Sequence, residues 1–208
     1  MLEIIAATGN PGKLEEIRII LSELGVSVQG LDKWPDIIPP EEDGNTFAEN
    51  ARLKAIYYSR KTGTPCLADD SGLVVDALNG MPGVYSARFA VDECPPDADR
   101  KAVDMANNIK LVRLLENVPE LDRSARFVCS LALANDDTVL LEAEGTVEGR
   151  IISKPAGTNG FGYDPHFYID ETRCTTAELS AGQKNLISHR GKAIRDLATR
   201  LRKSDTLS

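Results

Sequence analysis

The opening turn of this chain constrains its fold more than any other feature. Leu2 to Ala7 is a short apolar run that predicts a buried strand, and Thr8-Gly9-Asn10-Pro11-Gly12-Lys13 follows at once. Asn10 is a good helix N-cap and Pro11 suits the first helical position. Leu14, Ile17, Ile20, Leu21 and Leu24 then recur at helical spacing, and Gly25 supplies the closing C′ residue. Residues 32–45 hold three prolines and the cluster Glu41-Glu42-Asp43-Gly44, which predicts a loop. Thr46-x-x-Glu49 is a capping box, so a second helix begins there and runs to about Gly63.

The strand-and-helix alternation then repeats. Cys66-Leu67-Ala68 reads as a strand that ends abruptly in Asp69-Asp70-Ser71-Gly72. Residues 79–96 hold several Gly and Pro and predict loop. Asp97 to about Val118 has a helical pattern, with Ala102, Met105, Ile109, Val112 and Leu115 as its expected apolar face. Residues 124–134 alternate as a strand, with Ala125, Phe127, Cys129, Leu131 and Leu133 on one side. Asn135-Asp136-Asp137 makes the turn into a partner strand from about Thr138. A glycine-rich loop spans Pro155 to Pro165, and a basic helix runs from roughly Lys192 to Arg202. Early β-α-β-α order with a later hairpin predicts an α/β fold on a mixed sheet. At 208 residues, with no linker that would let two halves fold separately, one domain over 1–208 is expected.

Four segments carry candidate chemistry. The first is the opening turn. A strand, then Gly-x-x-Gly-Lys, then a helix gathers backbone N–H groups, a helix dipole and an ammonium around one point, which suits a phosphate. The same glycines could equally serve a tight turn that needs unusual backbone angles. A Walker loop is excluded, because the spacing is short and Leu14 stands where that loop needs a hydroxyl. A metal must therefore be held from elsewhere. Asp69-Asp70 at a strand end and Glu41-Glu42 on the preceding loop are the candidates, and Mg²⁺ needs only a few carboxylate oxygens beside water and phosphate.

The third segment, Gly160-Phe161-Gly162-Tyr163-Asp164, offers a flat ring flanked by glycines, fit for a nucleobase or for return to a core. The fourth, Ser188-His189-Arg190-Gly191 with Lys184 upstream, offers donors for phosphate or for a keto oxygen, or merely a solvated basic helix. No nucleophilic triad is visible, so attack by activated water is the simpler chemistry.

Composition narrows the partners. The net charge of −8 repels a long polyanion such as duplex DNA, while a small polyanion remains compatible with local basic groups. No apolar run approaches the ~20 residues of a membrane helix, and the acid at Glu3 stands where a signal peptide carries positive charge. Four separated cysteines without a C-x-x-C pair suit reduced thiols in a cytoplasm.

In this order, the segments closely resemble the inosine triphosphatase family, also called Ham1-like. Thr8–Lys13, Ala68-Asp69-Asp70-Ser71-Gly72-Leu73, Pro82-Gly83-Val84-Tyr85-Ser86-Ala87-Arg88, Gly160–Pro165 and Ser188–Gly191 all look like family motifs in register. The resemblance implies an elongated mixed sheet with flanking helices in two lobes around a substrate cleft, and usually a homodimer. It implies hydrolysis of ITP, dITP and XTP to monophosphate and pyrophosphate, with Mg²⁺. By position, Asp70 matches the general base and metal-linked aspartate, and Glu41 or Glu42 the metal-binding glutamate. Thr8, Gly9, Asn10, Pro11, Gly12 and Lys13 match the phosphate loop. Ser71, Phe161, Gly162, Tyr163, Asp164, Lys184, His189 and Arg190 match substrate positions. Two rival readings stay open: a Maf-like pyrophosphatase of other nucleotides, and a regulatory module that binds a triphosphate without cleaving it.

Overall fold

A computed structural model describes residues 3–203, so Leu2 of the predicted first strand lies outside the described residues. The chain forms two compact units that it enters alternately. One comprises residues up to Asp70, Cys129–Gly145 and Ser188 onward; the other comprises Ser71–Val128 and Thr146–Ile187.

The strands are β1 (Glu3–Ala6), β2 (Ser27–Gln29), β3 (Cys66–Val75), β4 (Ser124–Asn135), β5 (Thr138–Ile151), β6 (Phe167–Ile169) and β7 (Cys174–Thr175). They form one sheet in the order β2-β1-β3-β4-β5-β6-β7. β1 runs parallel to β2 and β3, while β6 is antiparallel to β5 and β7, so the sheet is mixed as expected. The helices are α1 (Pro11–Ser22), α2 (Phe47–Thr62), α3 (Arg100–Leu114), α4 (Ala181–Ile187) and α5 (His189–Lys203).

In the first unit the strand period of two sorts residues between two helical layers. Ile4, Ala6, Leu67, Cys129, Leu131 and Leu133 pack with Ile17 and Leu21 of α1 and Ile194, Leu197 and Leu201 of α5. Their alternates Ile5, Cys66, Ala68, Ala132 and Ala134 pack with Ala51, Ala55 and Tyr58 of α2. Small residues on both sides of that second layer let α2 lie close to the sheet. α1 ends at Ser22, slightly before Leu24, and Gly25 takes a φ of 69° just beyond it. The α2 capping box forms as predicted, and the helix ends at Gly63, which is left-handed.

In the second unit, Leu73 and Val75 of β3, Phe127 of β4, Ile151 of β5 and Phe167 of β6 close a core with Leu111 and Leu115. Segment 79–96 is not plain loop, since 3-10 turns form over Gly83–Arg88 and Val91–Glu93.

Two expectations are corrected. β3 does not stop at Ala68; it continues through Asp69-Asp70-Ser71-Gly72 to Val75. Both aspartates are satisfied by side-chain partners, so the strand need not end to solvate them. The buried face of α3 is also rotated. Met105 and Ile109 are 63% and 57% exposed, whereas Asn107 and Leu111 are buried. Asn107 accepts from Ala90 N at 2.7 Å and donates to Ser86 O at 3.3 Å, which compensates a polar residue in the apolar stripe.

Candidate functional site

Asp69 and Asp70 are consecutive on extended β3, so their side chains leave opposite faces of the sheet. Asp69 turns toward the α1 and α5 layer. Lys13 Nζ bonds its Oδ1, and Arg190 Nε donates to its Oδ2 at 2.8 Å. Arg190 Nη1 continues to Glu16 Oε2 at 3.0 Å. Burial alone would raise the Asp69 carboxyl, but the Lys13 and Arg190 cations outweigh it and hold the group well below the usual carboxylate range. Asp69 is therefore an anion that ties the first turn to the start of α5.

Asp70 turns toward α2. Lys54 Nζ donates to Oδ1 at 2.8 Å, and Asn50 Nδ2 donates to Oδ2 at 3.3 Å. Asn50 and Lys54 are four apart on α2 and so share a face. Asn50 also grips the acidic loop, accepting from Gly44 N at 2.9 Å. Lys54 stands 3.4 Å from Glu42 Oε1. Glu41 is exposed, so of the two glutamates it is Glu42 that faces Asp70's partner. Burial pushes the Asp70 carboxyl up, only partly countered by Lys54. Burial would lower Lys54, but Asp70, Asp69 and Glu42 more than offset that, and the ammonium stays charged.

These residues offer oxygen donors for a hard divalent cation. Among the described residues no group of three or more His, Cys, Asp or Glu could cage a metal. Two carboxylates already share one cationic group at Lys54. Magnesium, which takes one or two carboxylates and completes its shell with water and substrate phosphate, suits that donor set; zinc and calcium cages do not.

The opening turn is capped from within. Asn10 Oδ1 accepts from Gly12 N at 2.9 Å and Lys13 N at 3.4 Å, and Asn10 N donates to Thr8 Oγ1 at 3.1 Å. The first helical amides are thus capped by Asn10 and not left waiting for an anion. Pro11 sits at the first helical position. Gly9 and Gly12 are both outside the left-handed region, so unusual angles do not explain them. Gly9 and Gly12 are exposed, and a Cβ at Gly9 would meet nothing within 4 Å. Their lack of side chains keeps the backbone surface of this turn open to close approach.

The second unit holds the aromatic segment. Asp164 is buried and saturated: Oδ2 accepts from Phe161 N at 2.8 Å and Lys184 Nζ at 2.5 Å, and Oδ1 accepts from Thr176 Oγ1 at 2.8 Å. The Lys184 ammonium lies 4.9 Å from the centre of the ring of Phe161, an exposed residue. Gly160 and Gly162 take φ values of 77° and 60°, which demand glycine. Tyr163 is buried, and its hydroxyl donates to Ser86 O at 2.9 Å.

Tyr163 and Asp164, both expected at the substrate, have polar atoms engaged inside the unit. Arg190 likewise is only 3% exposed at its side chain and is held by Asp69 and Glu16. Ser71 lies half-buried on β3, and His189 is buried at the first turn of α5. Gly145 of β5 permits that turn to pack closely, since a Cβ there would fall 2.6 Å from Ala193 N.

Sequence reasoning missed Asn50, Lys54 and Glu16. Asn50 and Lys54 had a legible signal, since they interrupt an alanine-lined helical face with polar groups at i and i+4.

Comparison with known proteins gives consistent matches. The model of the Ham1 family matches residues 4–200. A dITP/XTP pyrophosphatase of Desulforamulus reducens is 48% identical over 194 residues, covering 93% of this chain and 92% of the relative. One of Geobacter sulfurreducens is 47% identical, covering 93% and 94%. Among solved structures, a HAM1 protein from Coxiella burnetii superposes with a TM-score of 0.86 at 40% identity, covering 98% of this chain and all of that one.

Proposed function

The chain belongs to the Ham1 family, and from that premise we propose that it is a nucleoside-triphosphate pyrophosphatase acting on dITP, XTP and ITP. The products are the monophosphate and pyrophosphate, so the enzyme removes deaminated purines from the nucleotide pool. The observation that carries this reading is Asp70, held at Oδ1 by Lys54 and at Oδ2 by Asn50, with Glu42 sharing the Lys54 ammonium.

Each group then has a task. Lys13 and the open Thr8-Gly9-Asn10-Pro11-Gly12 turn hold phosphate oxygens, with Lys13 aimed by Asp69. Asp70 Oδ2, whose bond to Asn50 is the longer, takes the proton of a water as its oxygen attacks the α-phosphorus. The new P–O bond forms as the anhydride bond to the β-phosphate breaks, and pyrophosphate departs beside Lys54. Glu42 and Asp70 would hold Mg²⁺, which when bound neutralises phosphate charge and polarises the reacting phosphoryl group. Phe161 offers its face to the base, Lys184 its charge to the substrate, and Ser71 and Gly162 line the substrate. His189 donates to a purine 6-keto oxygen, and Arg190 positions Asp69.

A homodimer and a cytoplasmic location belong to the same proposal. The location is supported by four free cysteines and by the lack, among the described residues, of any helix long and apolar enough to cross a membrane.

The test is product analysis with Mg²⁺ on dITP, XTP, ITP, GTP and ATP. Equimolar monophosphate and pyrophosphate, with the first three preferred, supports the reading. Orthophosphate and a nucleoside diphosphate would place attack at the terminal phosphate and overturn it.

A further inference from the structure

The rotated face of α3 carries two side chains that bind one loop residue. Asp104 and Asn108, one helical turn apart, both reach the peptide groups of Gly162. Gly162 N donates to Asp104 Oδ2 at 3.0 Å, and Asn108 Nδ2 donates to Gly162 O at 2.8 Å. Arg100 Nε lies 3.0 Å from Asp104 Oδ1 as an i, i+4 ion pair. Neither backbone group of Gly162 is satisfied by helix or sheet, so the two side chains replace secondary structure at this point.

The grip is applied from both sides of Phe161. Asp164 takes the Phe161 amide itself, and α3 takes both groups of the next residue. Behind them, the Tyr163 hydroxyl is anchored on Ser86 O, which also accepts from Asn107 of α3. A loop that merely returns a phenylalanine to a core needs no such arrangement, because burial of the ring fixes it. Here Phe161 is 41% exposed while the backbone around it is pinned by polar side chains. Pinning an exposed ring lowers the ordering cost of whatever stacks on it.

We infer that Asp104 and Asn108 are positioning residues which, through the Gly162 peptide, pre-orient the exposed Phe161 ring as the stacking surface for the substrate's base. The inference rests on the reading of Phe161 as the base-binding ring. It assigns to α3 a share of substrate affinity without any contact to the reacting phosphates.

The experiment uses the full chain and compares Asn108→Ala, Asp104→Ala and Asp104→Asn with the parent. In Asp104→Asn the amide oxygen can still accept from Gly162 N. Asn108→Ala and Asp104→Ala are expected to raise KM for ITP about fivefold, the size of one net hydrogen bond. Their kcat stays within about twofold of the parent, inhibition by inorganic pyrophosphate is unchanged, and amide exchange of the 159–164 segment quickens. Asp104→Asn recovers most of the KM. An unchanged KM in Asn108→Ala overturns the inference. So does a parallel shift of KM, kcat, pyrophosphate inhibition and melting temperature, which marks a merely structural tie. Phe161→Ala run alongside separates the two levels. If it leaves KM for ITP unchanged, the base-platform reading falls whatever the α3 variants do; if it raises KM and Asn108→Ala does not, the positioning role falls alone.

Discussion

Lys54 donates to Asp70 Oδ1 at 2.8 Å, and both side chains are almost wholly buried. A lysine in such a place is costly unless its charge is matched, and Glu42 at 3.4 Å supplies a second carboxylate to the same ammonium. The arrangement joins one cationic group and two anionic ones at the centre of the proposed phosphate chemistry, and it leads to the first two predictions.

Asp70→Asn is expected to reduce kcat on dITP by about 10²–10⁴-fold, the usual loss for a general base. An amide can still accept from Lys54 and Glu42 still faces that ammonium, so the variant is expected to fold, which a melting curve checks. Turnover near the parent value in a folded variant would remove Asp70 from the mechanism.

Lys54→Met leaves Asp70 and Glu42 without their shared cation. Removing one member of a buried pair costs about 3–5 kcal/mol, so denaturant unfolding in EDTA should show a loss of that order. Added Mg²⁺ should restore part of it in the variant, because the cation replaces the missing charge. A variant as stable as the parent in EDTA would contradict the pairing.

Gly160→Ala and Gly162→Ala should differ sharply although both residues have positive φ. At Gly162 a Cβ would meet nothing within 4 Å, so only the left-handed backbone strain of about 1–2 kcal/mol applies. At Gly160 it would run into the Asp164 carboxylate and lie 3.1 Å from Lys184 Nζ. Gly160→Ala is therefore expected to lower the melting temperature further and to raise KM for dITP more than Gly162→Ala. Equal effects from the two would argue against Asp164 as the hub of this loop.

Burial, partly opposed by the Thr62 hydroxyl, pushes the Cys66 thiol up to about 11. The folded state then keeps a proton that the unfolded chain releases near the ordinary thiol value. Stability should thus be full below about pH 8.5 and fall as pH rises toward 11, by about 1.4 kcal/mol per pH unit for this thiol. Urea unfolding of the parent and Cys66→Ala between pH 8 and 11 checks this, the gap between them narrowing with pH. A constant gap would mean that Cys66 does not titrate differently on folding.

Much of this was legible in the linear chain. Asn10, Pro11 and the capping box at Thr46 are local devices whose partners lie within three residues, so they formed as read. The short strands β2, β6 and β7, of two or three residues each, were not legible, because pairing and not pattern defines them. The face of α3 was misread for a related reason. Met105 and Ile109 fit an apolar period, yet Asp104, Asn107 and Asn108 find partners in distant loops that make their inward placement favourable. A hydrophobic period records the average preference of a helix face and is blind to such partners.

The opening turn, the Asp69-Asp70 step and the glycines around Phe161 are properties of the chain itself, because backbone angles, caps and the two-residue alternation of a strand depend on near neighbours. Those features placed a phosphate-compatible turn and two carboxylates in an α/β fold. Which carboxylate does what was decided only by tertiary structure. Asp69 and Asp70 are identical in sequence terms, but strand alternation sends one to Lys13 and Arg190 and the other to Asn50 and Lys54. Those partners stand at positions up to 121 residues away, so the electrostatic field that separates the two aspartates exists only once the chain has folded.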